Sequence, residues 1–219
     1  GGLEDPFLVD HLQQGFPYCG VLPPSGSSFA PALPKAPVYD IGKLRADRVA
    51  LNRIVLDSQK AEEFEDDLWA SVQDDAAEGF MTPPVGIDRV DLSRVSLTRR
   101  LGVREERSSG WRTRVVDDKT ASGINPATAP VDRPSHDTVD LLVFVLLALL
   151  RAGVGPLLWK RDISKAFRRV PIAVDHLDLS WVTFLYKGRA YASRHLGMPF
   201  GTTSAVYSWH RVEIGRAHV

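Results

Sequence analysis

The sequence predicts an α+β fold, on three observations. Apolar residues recur at roughly helical spacing through residues 43–78. A further helix is predicted to begin at Ser135 or Asp137 and to end near Arg151, just before a Gly-Val-Gly-Pro stretch. Two β-rich runs flank Lys187 and its following glycine, which is the pattern of an antiparallel hairpin.

Composition limits the class of protein but not its chemistry. With 219 residues, 44% of them hydrophobic and 25% charged, the chain can bury the core of one large domain or two small ones. Lys plus Arg and Asp plus Glu number 27 each, so no global field steers the chain onto nucleic acid. Any basic surface must therefore be local.

The single cysteine and the longest apolar run indicate the compartment. Cys19 excludes an internal disulfide framework, and we expect a small apolar role for it in an intracellular protein, nuclear or cytoplasmic. The apolar run of ten residues from Leu141 to Leu150 is shorter than the roughly 20 residues of a membrane span. It predicts a buried core helix and no membrane contact. The first residues show no signal peptide, and we expect that the N-terminus is cut.

The elements before residue 97 are predicted as a loop followed by a helical segment. Residues 17–37 contain six prolines, which favours an irregular covering segment. The helical region that follows should break near Asp57 and Ser58 and end at Gly79. Residues 1–96 are thus expected to form a largely helical N-terminal part.

Three elements are predicted for the rest of the chain besides the hairpin. Residues 112–117 alternate loosely and carry β-branched side chains, as an exposed edge strand would. PLLWKRDI, residues 156–163, is expected to form a buried strand, and SKAFRRVPI, residues 164–172, a turn into a short extended or helical piece.

Three segments resemble motifs of reverse transcriptases. DISKAFRRVPI is similar to the first palm motif of that family, LGMPFGTTSAVYSW to the second, and WRTRVVDDKTASGIN to the fingers strand that precedes them. The order and spacing also fit, and the resemblance covers roughly residues 97–211, within a partial reverse transcriptase domain expected at 97–213. It implies a partial right-hand polymerase, with fingers and part of the palm, from an RNA-directed DNA polymerase of a retrotransposon-like element. The implied partners are an RNA template, a DNA primer and a dNTP.

The resemblance implies a metal-dependent centre at the predicted strand end. Asp162 matches the catalytic carboxylate that bridges two Mg²⁺ (or Mn²⁺) ions, and the neighbouring carbonyl of Ile163 would be a further ligand. Oxygen donors of this kind suit Mg²⁺, and two such ions can position and neutralise a transferring phosphoryl group. A solvated turn is the alternative for a lone aspartate.

The resemblance also implies a nucleotide site. Phe167 matches the aromatic gate that excludes a ribose 2′-hydroxyl and so favours dNTPs, with core packing as its alternative. Arg114 matches the fingers arginine that binds the triphosphate, with Arg112 as a close competitor, although Lys119 stands where many relatives have an aromatic residue. The floor beside the nucleotide would be formed by Pro199, Phe200 and Gly201.

Two other patterns admit different interpretations. Asp117 and Asp118 mimic the later acidic metal motif of the family, but they precede Asp162, so only a permuted palm would use them. Basic residues concentrate around the predicted palm and could contact the phosphates of a template–primer duplex or form a solvated face. They are Lys160, Arg161, Lys165, Arg168, Arg169, Lys187, Arg189 and Arg194.

The last six residues, IGRAHV at 214–219, resemble the in-frame translation of a sequencing adapter. We therefore expect an adapter-derived artefact after Glu213, a helix from about Thr202 that Gly215 interrupts, and a fragment without the second metal carboxylates or the thumb. Such a fragment should not polymerise. The alternative is a non-catalytic or domesticated nucleic-acid-binding remnant of the same fold, and the oligomeric state stays open.

Overall fold

The computed structural model describes residues 5–26, 29–31, 36–61, 63–108, 110–134, 138–158 and 162–217. Over these ranges the chain combines helices with sheets, which confirms the α+β prediction. The helices are α1 (Leu8–Gln14), α2 (Ile41–Ala46), α3 (Arg48–Asp57), α4 (Glu65–Ala77), α5 (Val139–Arg151) and α6 (Thr203–Ala217), with 3-10 turns at Ile87–Arg89, Ala166–Arg169 and Val174–Leu179. The strands are β1 (Gly20–Leu22), β2 (Ala30–Pro31), β3 (Val85–Gly86), β4 (Leu97–Arg107), β5 (Gly110–Asp117), β6 (Thr128–Pro130), β7 (Asp132–Arg133), β8 (Trp181–Tyr186) and β9 (Arg189–Arg194).

The main sheet has five strands in the order β3-β9-β8-β4-β5. β4 and β8 run parallel, and the other neighbouring pairs are antiparallel. β5 lies at the edge, as predicted for residues 112–117. The β8–β9 hairpin is also confirmed: Tyr186 pairs with Arg189, and Lys187 and Gly188 both adopt positive φ, as a two-residue turn of this kind requires.

Helices α2 to α4 confirm the predicted helical region. The break at Asp57 and Ser58 is where it was expected, and a second break at Asp47 divides the first half into α2 and α3. α4 buries Leu68 and Val72 against Phe184 of the sheet. It ends at Ala77, two residues before Gly79, whose φ of 78° only glycine adopts readily.

The proline-rich segment is more than a cover, which corrects the prediction for residues 17–37. Tyr18, Cys19 and Leu22 are buried, and β1 pairs in parallel with β6 while β2 pairs with β7. Prolines are compatible with these short strands because every strand of a two-stranded sheet is an edge strand, where a missing backbone N–H is tolerated. Apolar side chains between the prolines supply the burial.

One core cluster joins both ends of the described chain. It contains Phe16, Tyr18 and Cys19 from the N-terminal part and Met198, Ala205 and Trp209 from the region of α6. Burial of Cys19 raises the pKa of its thiol to about 12, as suits the predicted apolar role. Arg211 of α6 adds a two-pronged ion pair to Asp5, with nitrogen to oxygen distances of 2.6 and 2.7 Å. Residues before 97 therefore pack into the same core as the later ones.

Helix α5 corrects one prediction. It forms and ends at Arg151, as expected, and the side chain of Thr138 caps it by accepting a hydrogen bond from the Leu141 amide, whereas the predicted caps Ser135 and Asp137 lie outside the described residues. None of its residues is buried, so the prediction of a buried core helix was wrong. High apolar content indicated burial but did not identify a surface to bury against.

The buried strand predicted for residues 156–163 is wrong over its described part. Pro156, Leu157 and Leu158 are not in a strand, and Leu157 is 94% exposed. Asp162 and Ile163 also lie outside any strand, while residues 159–161 lie outside the described ranges. Asp162 is thus not itself a strand residue.

Helix α6 passes through Gly215 without interruption, so the predicted break at that residue was wrong. Across the described ranges, no helix combines the length and the apolar character that a membrane crossing requires.

Candidate functional site

A cleft of about 1120 Å³ lies between α4, the β4–β5 ribbon and the segment that follows Asp162. The ribbon contributes Arg104, Trp111, Arg112 and Arg114, and the palm-like segments contribute Lys165, Arg168 and Phe200. α4 and the residues just before it supply acidic side chains, including Asp67 and Asp75. The cleft therefore mixes both signs of charge.

The first two motif segments lie side by side at the base of this cleft. Pro171 and Gly197 form an antiparallel bridge, and the amides of Ile172 and Met198 donate to the carbonyls of Leu196 and Val170 at 2.9 and 2.8 Å. A side-chain Cβ on Gly197 would lie 2.0 Å from the carbonyl oxygen of Arg168. Only glycine allows this approach.

Asn125 connects the fingers-like segment to the second motif. Its amide nitrogen donates to the carbonyl of Gly201 at 2.8 Å, and its amide oxygen accepts from the backbone N–H of Thr203 at 3.1 Å. This oxygen caps the start of α6 from outside the helix. Gly201 itself has a φ of 89° and faces the carbonyl of Asp117. All three segments singled out in the sequence therefore converge.

Phe167 and Phe200 form an edge-to-face pair with centroids 4.9 Å apart. Phe200 is exposed and lines the cleft, whereas Phe167 is half-buried and packs on Trp209 behind it. Pro199 is buried, and its carbonyl accepts from the hydroxyl of Thr202. The structure thus places Phe167 at the boundary between the core and the cleft wall.

Arg112 and Arg114 both line the cleft from edge strand β5, and both are exposed. Thr113, between them, also lines the cleft, and its hydroxyl hydrogen-bonds to Asp67 of α4. Strand alternation puts Thr113 on the face toward α4 and both arginines on the other face. Across the ribbon, Arg112 faces Glu105 and Arg114 faces Val103. The cleft therefore has two arginines on one strand face, and neither alone is singled out by position.

Asp162 lies on the chain just before the turn that leads into the 3-10 helix Ala166–Arg169, and its side chain is exposed. Ile163 is half-buried against the main core. A carboxylate and an adjacent carbonyl fit Mg²⁺ in kind and make up part of its octahedral oxygen shell. Within the described ranges, no three His, Cys, Asp or Glu side chains gather as a metal-binding group. Further ligands for a metal at Asp162 would have to come from other groups.

A buried charge network behind the cleft was not predicted. Asp117 accepts from Arg100 at 2.8 and 3.2 Å and contacts His195 Nε2 at 2.8 Å. All three side chains are almost fully buried. The adjacent Arg100 and Lys119 cations hold the pKa of Asp117 well below its usual value, against the opposing effect of burial.

The protonation of His195 follows from its neighbours. Arg168 has only donors and contacts His195 Nδ1, so Nδ1 is the acceptor and Nε2 carries the proton that is donated to Asp117. Burial and Arg168 keep the pKa of His195 well below 6.5, so the ring is neutral. Arg168 also pairs with Asp75 at 2.9 Å. The network thereby joins the ends of β5 and β9 to α4 through a cleft-lining arginine.

Lys119 is a buried cation whose charge is only partly offset by this network. It is fully buried, and its Nζ lies 4.0 Å from Asp117 and 5.6 Å from the ring centroid of Tyr18. Among the residues that the structure describes, neither this nitrogen nor the Tyr18 hydroxyl has a hydrogen-bond partner. Burial lowers the pKa of Lys119 to about 8 although Asp117 opposes the shift. The neighbouring Asp118 instead accepts from the amide of Ala121. Asp117 and Asp118 thus have separate structural partners, which gives no support to the permuted-palm alternative.

Several predicted basic residues are engaged within the protein. Lys165 pairs with Glu78 at 2.6 Å and approaches Asp75, and Arg168 belongs to the buried network. Arg194 lies over Trp181 and Lys187 over Tyr186, while Arg169 donates to the Ser164 carbonyl. Arg189 is exposed at the start of β9, and Lys160 and Arg161 lie outside the described residues.

Compared with known proteins, the chain matches no family model and no curated sequence.

Proposed function

We propose that this chain contains the fingers and part of the palm of an RNA-directed DNA polymerase. The observation that supports this most is the convergence of three sequence-distant segments on one cleft, through the Pro171–Gly197 bridge and the Asn125 contacts to Gly201 and Thr203. Nucleotidyl transfer depends mainly on positioning and on charge neutralisation, and such convergence supplies positioning.

In this proposal the Phe167–Phe200 pair receives the sugar and base of an incoming dNTP. Phe167 is held from behind by Trp209, so its ring cannot retreat into the core without repacking. A ribose 2′-hydroxyl pressed against that ring would clash and would lose its hydrogen bonds to water. Discrimination in favour of dNTPs therefore comes from exclusion.

The triphosphate would lie toward β5. Arg112 and Arg114 lie on one face of that strand and both line the cleft, and guanidinium groups match paired phosphate oxygens. Asp162 and the Ile163 carbonyl would hold Mg²⁺ or Mn²⁺ with further ligands, and the bound ion would neutralise phosphate charge. An RNA template and a DNA primer would complete the assembly.

Equilibrium binding of a fluorescent dATP in the presence of Mg²⁺ tests the proposal on this chain. Replacing both Arg112 and Arg114 by alanine should weaken binding by about tenfold or more, since charge-assisted hydrogen bonds are worth about 1.5–3 kcal/mol each. Arg133→Ala, which alters an exposed arginine on β7 outside the cleft lining, is the matched control. If the Arg112/Arg114 variant and the control bind dATP equally well, the cleft is not the nucleotide site.

A further inference from the structure

Helix α5 has an unusual combination of composition and position. Between Asp140 near its start and Arg151 at its end, all ten residues are apolar, and no residue of the helix is buried. A helix that is apolar on every side is normally enclosed by protein or membrane. Contiguous exposed apolar surface larger than a few hundred Å² marks an interaction site.

The helix has an inner and an outer face. From Leu141 to Leu150 only Leu146 and Leu149 are partly sheltered, and their spacing of three puts them on one side of the helix, which we call its inner face. At 100° per residue, the opposite side carries four residues at spacings of four, three and four. They are Asp140, Phe144, Leu147 and Arg151, and the two central ones are 67% and 46% exposed.

We propose that this outer face pairs with the same face of a second copy of the chain, with the two helices antiparallel. Asp140 then lies beside Arg151 of the second copy, and Phe144 lies beside Leu147 of the second copy. The midpoint between Asp140 and Arg151 and the midpoint between Phe144 and Leu147 coincide, between Val145 and Leu146. A single twofold axis through that point therefore generates each contact twice, four in all. This self-complementarity is what an isologous dimer requires.

Charge selects this arrangement over the alternatives. A parallel pair would place Asp140 against Asp140 and Arg151 against Arg151, and like charges at an interface are unfavourable. The antiparallel pair also opposes the two helix dipoles favourably. A membrane is a poorer partner, because 13 residues span only about 20 Å and the stripe has a charge at each end.

Sedimentation velocity of the full chain over a concentration series tests the pairing. The wild type should show a reversible monomer–dimer equilibrium, and Leu147→Ala should raise the dimer dissociation constant by about tenfold or more. Leu142→Ala is the matched control, because Leu142 is equally exposed at 49% but faces the opposite side of the helix. Helix propensity and side-chain chemistry change identically in the two variants. A wild type that stays monomeric at its highest soluble concentration overturns the proposal, and so does an equal effect of the two variants.

Exchanging the charges of Asp140 and Arg151 distinguishes dimerisation through the outer face from binding of any other partner to that face. Asp140→Arg alone puts two arginines together at each end and should weaken the dimer, whereas Asp140→Arg combined with Arg151→Asp in one chain should restore it. Another protein or a lipid surface would not produce this rescue. Circular dichroism of each variant checks that the chain is folded, and failure of the double variant to recover dimerisation overturns the antiparallel register.

Discussion

His195 donates its Nε2 proton to Asp117 across 2.8 Å, which ties the last residue of edge strand β5 to the residue that follows β9. The contact bridges two strands that are not neighbours in the sheet. Because Arg168 holds the other ring nitrogen, the position of a cleft-lining guanidinium depends on a buried carboxylate at the end of the ribbon.

Asp117→Asn should strongly destabilise the protein. The substitution leaves Arg100, which is 2% exposed, without a counter-charge, and breaking a buried pair in this way costs about 3–5 kcal/mol. Urea unfolding measures the change. The control is Asp118→Asn, for which we expect less than about 1 kcal/mol because asparagine can still accept the Ala121 amide. Equal destabilisation by both variants would contradict the assigned role of Asp117.

Lys119 should make stability rise with pH. Its pKa is about 8 in the folded chain and 10.5 when unperturbed, so between these values the unfolded chain binds more protons. The free energy of unfolding of the wild type should therefore increase by roughly 3 kcal/mol relative to Lys119→Met over that window. Cysteine and tyrosine side chains also titrate in this pH range, but they do so in both proteins, so their contributions to the unfolding free energy cancel in the difference. A constant difference between the two proteins from pH 8 to 10.5 would show that Lys119 is not desolvated.

Gly197→Ala should disrupt the junction of the first two motifs. The new methyl group would lie 2.0 Å from the Arg168 carbonyl, and backbone on both sides leaves no flexible atom to move. We expect a loss of more than about 2 kcal/mol of unfolding free energy. Gly155→Ala, at a glycine with open space around it, should change stability by no more than about 0.5 kcal/mol. Thermal unfolding followed by circular dichroism distinguishes them.

Phe167→Ala should relax sugar selection if the proposed function is right. Removing the ring opens space for a 2′-hydroxyl, so the preference for dATP over ATP in Mg²⁺-dependent binding should fall by about tenfold. Asp162→Asn should instead weaken both nucleotides in Mg²⁺ and have little effect without the metal. Competition binding with the two nucleotides measures both variants. An unchanged dATP to ATP ratio for Phe167→Ala would reduce Phe167 to a packing residue.

Local signals in the sequence predicted the longer helices and the hairpin, but not the short strands β1, β2, β3, β6 and β7. Helical spacing located α2 to α4, and β-branched residues around Lys187 located the hairpin. β4 was missed, because Arg99 interrupts the period-two series of Leu97, Leu101 and Val103 and weakens the strand signal. These features depend on neighbours in the chain, so the sequence carries them directly.

Tertiary relationships were harder to predict. Arg100, Asp117 and His195 meet only because strand register brings them together, and nothing in the spacing of 95 residues between Arg100 and His195 indicates contact. The apolar run of α5 predicted a helix correctly but burial wrongly, since composition does not specify what covers a surface. Of the residues predicted for a nucleotide site, Phe200, Arg112 and Arg114 line the cleft and Phe167 packs against Phe200. The charge network behind them could be found only from the fold.

The Asp5–Arg211 ion pair can form only late in synthesis of the chain. The two residues are 206 positions apart, so ribosomal synthesis at about 5–20 residues per second separates their appearance by roughly 10–40 s. During that interval Phe16 and Tyr18 lack most of the side chains that bury them in the finished core. The segment around Phe16 and Tyr18 is therefore translated well before α6 but can reach its buried position only after α6 has been made, and until then it presents aromatic surface to chaperones.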